Sequence, residues 1–445
     1  MTSFNDTVAN AIIGIDTLWG GDVLNPSGMG RFIADSWFSD QPLPLAYTHP
    51  TAAAVRETGG VSAKQPDRNA IERYLEAVRL ADVLTDFKKL ADGQPGKRGV
   101  YLSGVAECLN VMWDLALEQI GRGPAVPYER CFLASTGLVP TPSEPGTKRE
   151  LLTHQLREAG YSISSPDELL AAVDQWRAAR LVPSASIPAL AAAFIAQFDA
   201  LTASHVMSAL PADLARVPRA NIRFLPIKDA WFSGSMNYVG RARTAEGKPE
   251  FEATYEINAS LQISVPEFQQ LISHEVEPGH VTTFAFLQAL YEEDRIGFEG
   301  TIQTMNTRGA TLAEGIANNA VLMAYGVHDV AELPDRDLQI GVLLALLQDD
   351  AKNQSSFLTW SEGWPQDRVA ALLRNEFLVS TERADKLSGA WGRHPLLGRM
   401  CLPAYRAGTE LVADVRRKHP AKDVLPALYG CNGLEDVVTI RQEFA

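Results

Sequence analysis

Apolar residues recur at helical spacing along most of the chain, so the elements they predict are mainly α-helices. Between Asp67 and Leu90 the positions Ile71, Tyr74, Leu75, Val78 and Ala81 share one face and predict a helix. A second helix is predicted from Leu102 to Ile120, where Gly121-Arg122-Gly123-Pro124 stops it. Ser165-Pro166-Asp167-Glu168 has the form of a capping box, with proline in the first turn where its missing amide is harmless. It opens a helix through Arg180. The longest apolar runs, such as Ile187 to Phe198 and Ile340 to Leu347, fall short of the roughly 20 residues that cross a bilayer and predict buried helices.

The period changes between Phe251 and Ile263, where β-branched and aromatic residues predict one or two short strands. Such a strand offers an edge on which an extended substrate can pair. Ser264-Val265-Pro266-Glu267 then forms another capping box, and Phe268, Leu271 and Ile272 mark the apolar face of the helix that follows. Past Pro278-Gly279 the stripe resumes with Val281, Phe284, Phe286, Leu287 and Leu290. The most linker-like stretch is 136–148, which holds Pro140, Pro142 and Pro145 with two glycines. It divides an N-terminal helical region, 1–135, from a region 149–445, or crosses the surface of one continuous domain.

Composition narrows the function. The 445 residues suffice for one large or two medium domains, and the net charge of −14 comes with no basic block, which argues against nucleic acid and anionic membranes as partners. Cys108, Cys131, Cys401 and Cys431 are scattered and contain no C-x-x-C, so they read as reduced thiols. Residues 1–10 lack a basic n-region, and the expected compartment is the cytoplasm.

The chemistry concentrates in His274-Glu275-Val276-Glu277-Pro278-Gly279-His280. A hydrolytic zinc centre needs imidazole ligands, one further protein ligand, an open position, and a carboxylate base beside it. His274 and His280 fit the first role and Glu275 the last. The familiar spacing is i, i+4; an unbroken helix with i, i+6 would turn about 600° and separate the rings. A break at Pro278-Gly279 is therefore predicted, with Gly279 adopting the positive φ that glycine permits. Glu314, set in the small and apolar run Thr311 to Ala324, is the candidate third ligand, because an ionised carboxylate there is costly unless paired or metal-bound.

H-E-x-x-P-G-H followed some tens of residues later by E-G-x-A resembles the DUF885 family of bacterial proteins, regarded as zinc metallopeptidases related in fold to the M32 carboxypeptidases. The likeness runs from Tyr255-Glu256-Ile257-Asn258 to the C-terminus. It implies a mainly α, zincin-like architecture with a small sheet beside the active-site helix, one Zn2+ held by His274, His280 and Glu314, and Glu275 as base. Glu362-Gly363-Trp364 resembles a G-W segment of the family, and Pro403-Ala404-Tyr405-Arg406-Ala407-Gly408 its A-Y-x-x-G element. The chain departs where the family has E-G-W-A-L-Y-A-E: Glu314-Gly315-Ile316-Ala317-Asn318-Asn319-Ala320-Val321 lacks the tryptophan, tyrosine and second glutamate. A D-x-G-x-H element has no counterpart between Leu347 and Thr359.

Tyr405 is a candidate hydrogen-bond donor to a developing oxyanion. Among Arg393, Arg399 and Arg406, Arg399 is the candidate clamp for a substrate carboxylate. His394, ahead of Pro395, reads as structural, and Glu277 as a solvated side chain. The expected function is zinc-dependent hydrolysis of a peptide or small amide, carboxypeptidase-like in preference. A metal-dependent hydrolase or lyase for a non-peptide molecule is the alternative, with a non-catalytic metal-binding protein behind it.

Overall fold

A computed structural model of the chain describes residues 3–25, 33–214, 221–227, 234–258 and 262–445, to which all structural statements refer. The fold is mainly α, with one small sheet. The helices that matter most are labelled in chain order: α1 (Phe4–Leu18), α2 (Gly96–Gln119), α3 (Ile187–His205), α4 (Val265–Glu275), α5 (His280–Glu292), α6 (Arg308–Tyr325), α7 (Arg336–Trp360) and α8 (Leu402–Lys418).

Capping decides several boundaries as the sequence predicts. Ser165 accepts from the Glu168 amide ahead of the Pro166–Ala179 helix, and Ser264 accepts from the Glu267 amide at the start of α4. The span 67–90 differs from expectation. It forms two helices, Arg68–Val78 and Leu80–Asp92, separated by Arg79 at φ 51°. The buried set Ile71, Tyr74 and Val78 gives way to Leu80, Leu84, Phe87 and Ala91, a phase slip that one continuous helix cannot accommodate.

The sheet has the order β1–β3–β2, from β1 (Asn221–Ile227), β2 (Gly234–Tyr238) and β3 (Glu252–Asn258). β3 runs parallel to β1 and antiparallel to β2, with Tyr255 opposite Phe224 on one side and Met236 on the other. The predicted strand region therefore holds one described strand, and residues 259–261 lie outside the described residues. Because β3 is central, both of its edges are taken, and the expected pairing of a substrate on it is corrected. Ala253 and Tyr255 project into the main core with Phe268 and Ile272 of α4, Phe286 and Leu290 of α5, Ile316 and Val321 of α6, and Val412 of α8.

α6 and α8 approach most closely. A Cβ on Gly315 would lie 2.3 Å from the Gly408 carbonyl oxygen, and one on Gly408 would lie 1.9 Å from that of Thr311. Glycine is required at both positions by backbone contact.

The 136–148 stretch contains a loop, but the loop is bound down. Ser143 donates to the Asp350 carbonyl, its amide to Gln354, and Asn353 donates to Thr141 and Ser143. The core of the N-terminal helices also takes in Phe298, Ile302, Leu396 and Met400. Arg98–Glu299 and Lys97–Glu435 pair across the same boundary. The two regions thus share one packed body.

The apolar run at 340–347 is buried as expected, whereas α3 buries only Ile187, Ala191, Phe198 and Thr202. Its outer face is mostly alanine, including Ala189, Ala192, Ala193, Ala196, Ala200 and Ala203. By length and composition alone, two helical stretches among the described residues match a bilayer span, Gly96–Gln119 and Ser184–Ala209, with 61% and 22% of their apolar windows buried in the fold.

Candidate metal centre

α4 delivers His274 one residue before its end, and α5 begins at His280. Between them Val276 (φ −110°, ψ −80°) leaves the helix, and the Glu277–Pro278 bond is cis. The Gly279 amide donates to the Ser273 carbonyl at 3.0 Å, while the Tyr429 hydroxyl holds the Pro278 carbonyl at 2.7 Å. The predicted break is present, and its geometric cause differs from the expectation. Gly279 has a negative φ of −77°; the constraint is space, since a Cβ there would lie 1.8 Å from the His274 carbonyl oxygen.

This break brings the two imidazole rings to 4.8 Å between centroids at 90°. From α6, Glu314 Oε2 lies 3.5 Å from His274 Nε2 and 3.8 Å from His280 Nε2. Donor atoms bound tetrahedrally at about 2.1 Å sit about 3.4 Å apart. The observed separations are close to that figure and too long for direct hydrogen bonds. Glu314 Oε2 is buried and has no hydrogen-bond partner, an arrangement that costs free energy unless a cation is shared with the rings. Two imidazole nitrogens and a carboxylate oxygen are a fitting donor set for zinc. A Glu275 carboxylate oxygen lies within 4.8 Å of a ring nitrogen of each histidine, so Glu275 also stands beside the rings. Glu314 presents the orphaned oxygen, and Glu275 is the second carboxylate beside the rings.

Burial, then His280 and Lys352, hold His274 well below its ordinary imidazole range, so the ring is neutral, the form that binds metals. Burial pushes Glu314 up to about 7, against Lys352 and a hydrogen bond from Tyr405, with Asp349 and Asp35 adding to the rise.

The cluster lines a cavity of about 270 Å³ that also admits Tyr405, Lys352, Asp349 and Arg383. Tyr405 is thus brought to the site, with its phenol near Glu314 and the Lys352 ammonium 3.2 Å from its ring centroid. Lys352 is also bonded to Asp349 at 3.0 Å.

Arg399 is a correction. It is 2% exposed, pairs with Glu118 at 3.0 and 3.1 Å, donates to the Pro395 and Val126 carbonyls, and does not line the cavity. Its donors are engaged in joining the 395–399 turn to α2, which leaves no fork for a substrate carboxylate. Arg406 is held by Glu410 and Pro142, and Arg393 by the Trp364 carbonyl. Trp364 itself stacks under Arg368, outside the cavity. His394 is structural, as expected: its Nδ1 accepts the Leu396 and Leu397 amides, and burial lowers its pKa to about 4. Glu277 is also corrected, being 3% exposed instead of solvated.

Sequence reasoning missed Asn318, Thr409, Lys352, Asp349 and Arg383. A signal did exist for two of them: the apolar run ending at Leu347 continues in α7 as Gln348-Asp349-Asp350-Ala351-Lys352, and its charges stay buried. A buried charged run within a helix calls for partners.

No family model matches the chain, and no curated protein is similar to it. Solved structures do share its fold. A "putative lipoprotein" from Colwellia psychrerythraea superposes with a TM-score of 0.53 at 13% identity, over 84% of this chain and 69% of that one. A second, "a putative lipoprotein of unknown function" from Shewanella oneidensis, gives 0.50 at 14% identity, over 90% and 77%. At such identities the likeness concerns the fold alone.

Proposed function

We propose that the chain is a zinc-dependent hydrolase of short peptides or small amides. The observation that carries this reading is the orphaned Glu314 Oε2, poised 3.5 and 3.8 Å from two imidazole nitrogens that come from separate helices. The resemblance of H-E-x-x-P-G-H to the DUF885 family supports it. His274, His280 and Glu314 would hold the ion, whose Lewis acidity polarises a carbonyl and acidifies water.

Glu275 takes the proton from the attacking water and passes it to the leaving nitrogen. The Tyr405 phenol donates toward the oxygen on which charge develops. The cavity, about 270 Å³, lies at the small end of ligand pockets and supports a short peptide or small amide over a folded protein. That size supports as a second reading a non-peptide small-molecule hydrolase with the same residues in the same roles.

The lipoprotein description of both solved structures supports a membrane-surface setting as the rival to the cytoplasm. Fractionation of cells expressing the tagged chain separates the two. The test of the function is metal analysis of the purified protein together with a peptide and amide library screen. One zinc per chain and chelator-sensitive cleavage are expected. Wild-type protein that takes up no zinc, or cleavage unaffected by chelator, would sink the reading.

A further inference from the structure

We propose that Asn318 and Thr409 form a positioning relay that fixes which nitrogen of His274 faces the metal position. The proposal rests on the metal-centre reading above. His274 Nδ1 lies 2.8 Å from Asn318 Oδ1; Asn318 Nδ2 lies 2.8 Å from Thr409 Oγ1; Thr409 Oγ1 lies 2.7 Å from the Tyr405 carbonyl oxygen. All three side chains are buried, at 9, 8 and 6% exposure.

Hydrogen-bond polarity follows from the far end of the chain of contacts. The Tyr405 carbonyl only accepts, so the Thr409 hydroxyl donates to it. Asp349 Oδ2, at 3.5 Å from the same hydroxyl, is a poor competitor. With its proton committed, Thr409 must accept from Asn318, which sets the amide with its nitrogen toward Thr409 and its oxygen toward His274. That oxygen requires a proton on His274 Nδ1. The lone pair is then on Nε2, the atom that faces Glu314 Oε2. Tautomer selection through the non-ligating nitrogen is how outer partners tune metal-bound histidines.

The relay also ties the ligand to the backbone that carries Tyr405. Asn319, the next residue, donates to the Thr409 and Gly315 carbonyls and accepts from Arg416.

The experiment uses zinc as the probe and has two readouts. Long-range 1H–15N correlation spectra of the metal-free protein should show His274 as the Nδ1–H tautomer, with the preference lost in Thr409→Val and restored in Thr409→Ser. Zinc affinity from chelator competition should fall roughly 10–100-fold in Asn318→Leu, with helical content retained. An Nε2–H tautomer in the wild type overturns the relay, as does a folded Asn318→Leu that binds zinc within about twofold of wild type. If Asn318→Leu fails to fold, Thr409→Val and Thr409→Ser carry the zinc measurement. A wild type that shows the Nδ1–H form, loses it in Thr409→Val, and takes up no zinc would uphold the relay and refute the metal centre.

Discussion

Two buried carboxylates in different regions of the molecule share almost every local property. Asp16, near the end of α1 in the N-terminal core, and Glu314 in α6 are both pushed by burial to about 7. Each leaves one oxygen without a hydrogen bond. They differ in what converges on them. Asp16 Oδ1 receives the Ile33 and Ala34 amides, so its carboxyl organises the chain that returns beside α1. Glu314 receives two imidazole nitrogens instead, and the only histidine-containing donor cluster among the described residues lies against it. An unsatisfied buried carboxylate is therefore a weak sign of function by itself. What sets Glu314 apart is the two imidazole nitrogens that separate elements bring beside it.

The strongest way to break this contrast is at the base. Glu275→Gln should retain zinc and fold but lose roughly 10²–10⁴ in single-turnover rate, because the amide keeps shape and cannot accept a proton. Near-normal turnover would remove Glu275 from the mechanism. Asp16→Asn should leave the rate unchanged.

Next comes metal affinity. Zinc sites bind with roughly 10–16 kcal/mol spread over their ligands, so losing one costs on the order of 3–4 kcal/mol, or a few hundredfold. Glu314→Ala is expected to show that loss in competition titrations, and Asp16→Ala none. Unchanged affinity in Glu314→Ala would send the ligand role to Glu275.

The break between the histidines is a smaller lever. Gly279→Val must displace the His274 carbonyl, so zinc affinity should fall by at least about tenfold, equivalent to about 1.4 kcal/mol, with the helical circular dichroism largely kept. Wild-type affinity would mean that the backbone contact yields without moving either ring.

Last is the pH dependence of stability at Asp16. Unfolded, its carboxyl ionises near 3.9; folded, near 7, so folding takes up a proton between these values. The stability is present below about pH 4 and falls as pH rises toward 7, by up to about 4 kcal/mol. Thermal melts of Asp16→Asn should therefore exceed wild type at pH 8 and converge with it near pH 4. A gap that widens toward acid would reverse the assignment.

The candidate site was legible because its signal is local: His274, Glu275 and His280 fall within seven residues, and Glu314 stands out in an apolar helix. Arg399 was misplaced because three arginines within fourteen residues have equal prior claims, and only tertiary contacts show that Glu118 takes this one. Lys352 and Asn318 acquire their roles from partners on α8, beyond the reach of spacing arguments. β3 looked like an edge because its sequence is alternating and short, while its neighbours are contributed by two other segments. The capped helices were readable to within a residue or two; the slip at Arg79 was not, because a positive φ on arginine leaves no compositional mark.

The contact of α6 with α8 at Gly315 and Gly408 has a kinematic consequence. With backbone against backbone and no side chain to yield, these two helices must travel as one body. That body carries Glu314, Asn318, Thr409 and Tyr405, while α4 and α5 carry His274, Glu275 and His280. The His274–Asn318 contact crosses between that body and α4, so a motion separating the two helix pairs would have to break it. An ion held by His274, His280 and Glu314 would be a rivet through both pairs, and its arrival should be felt first as a loss of relative movement between them.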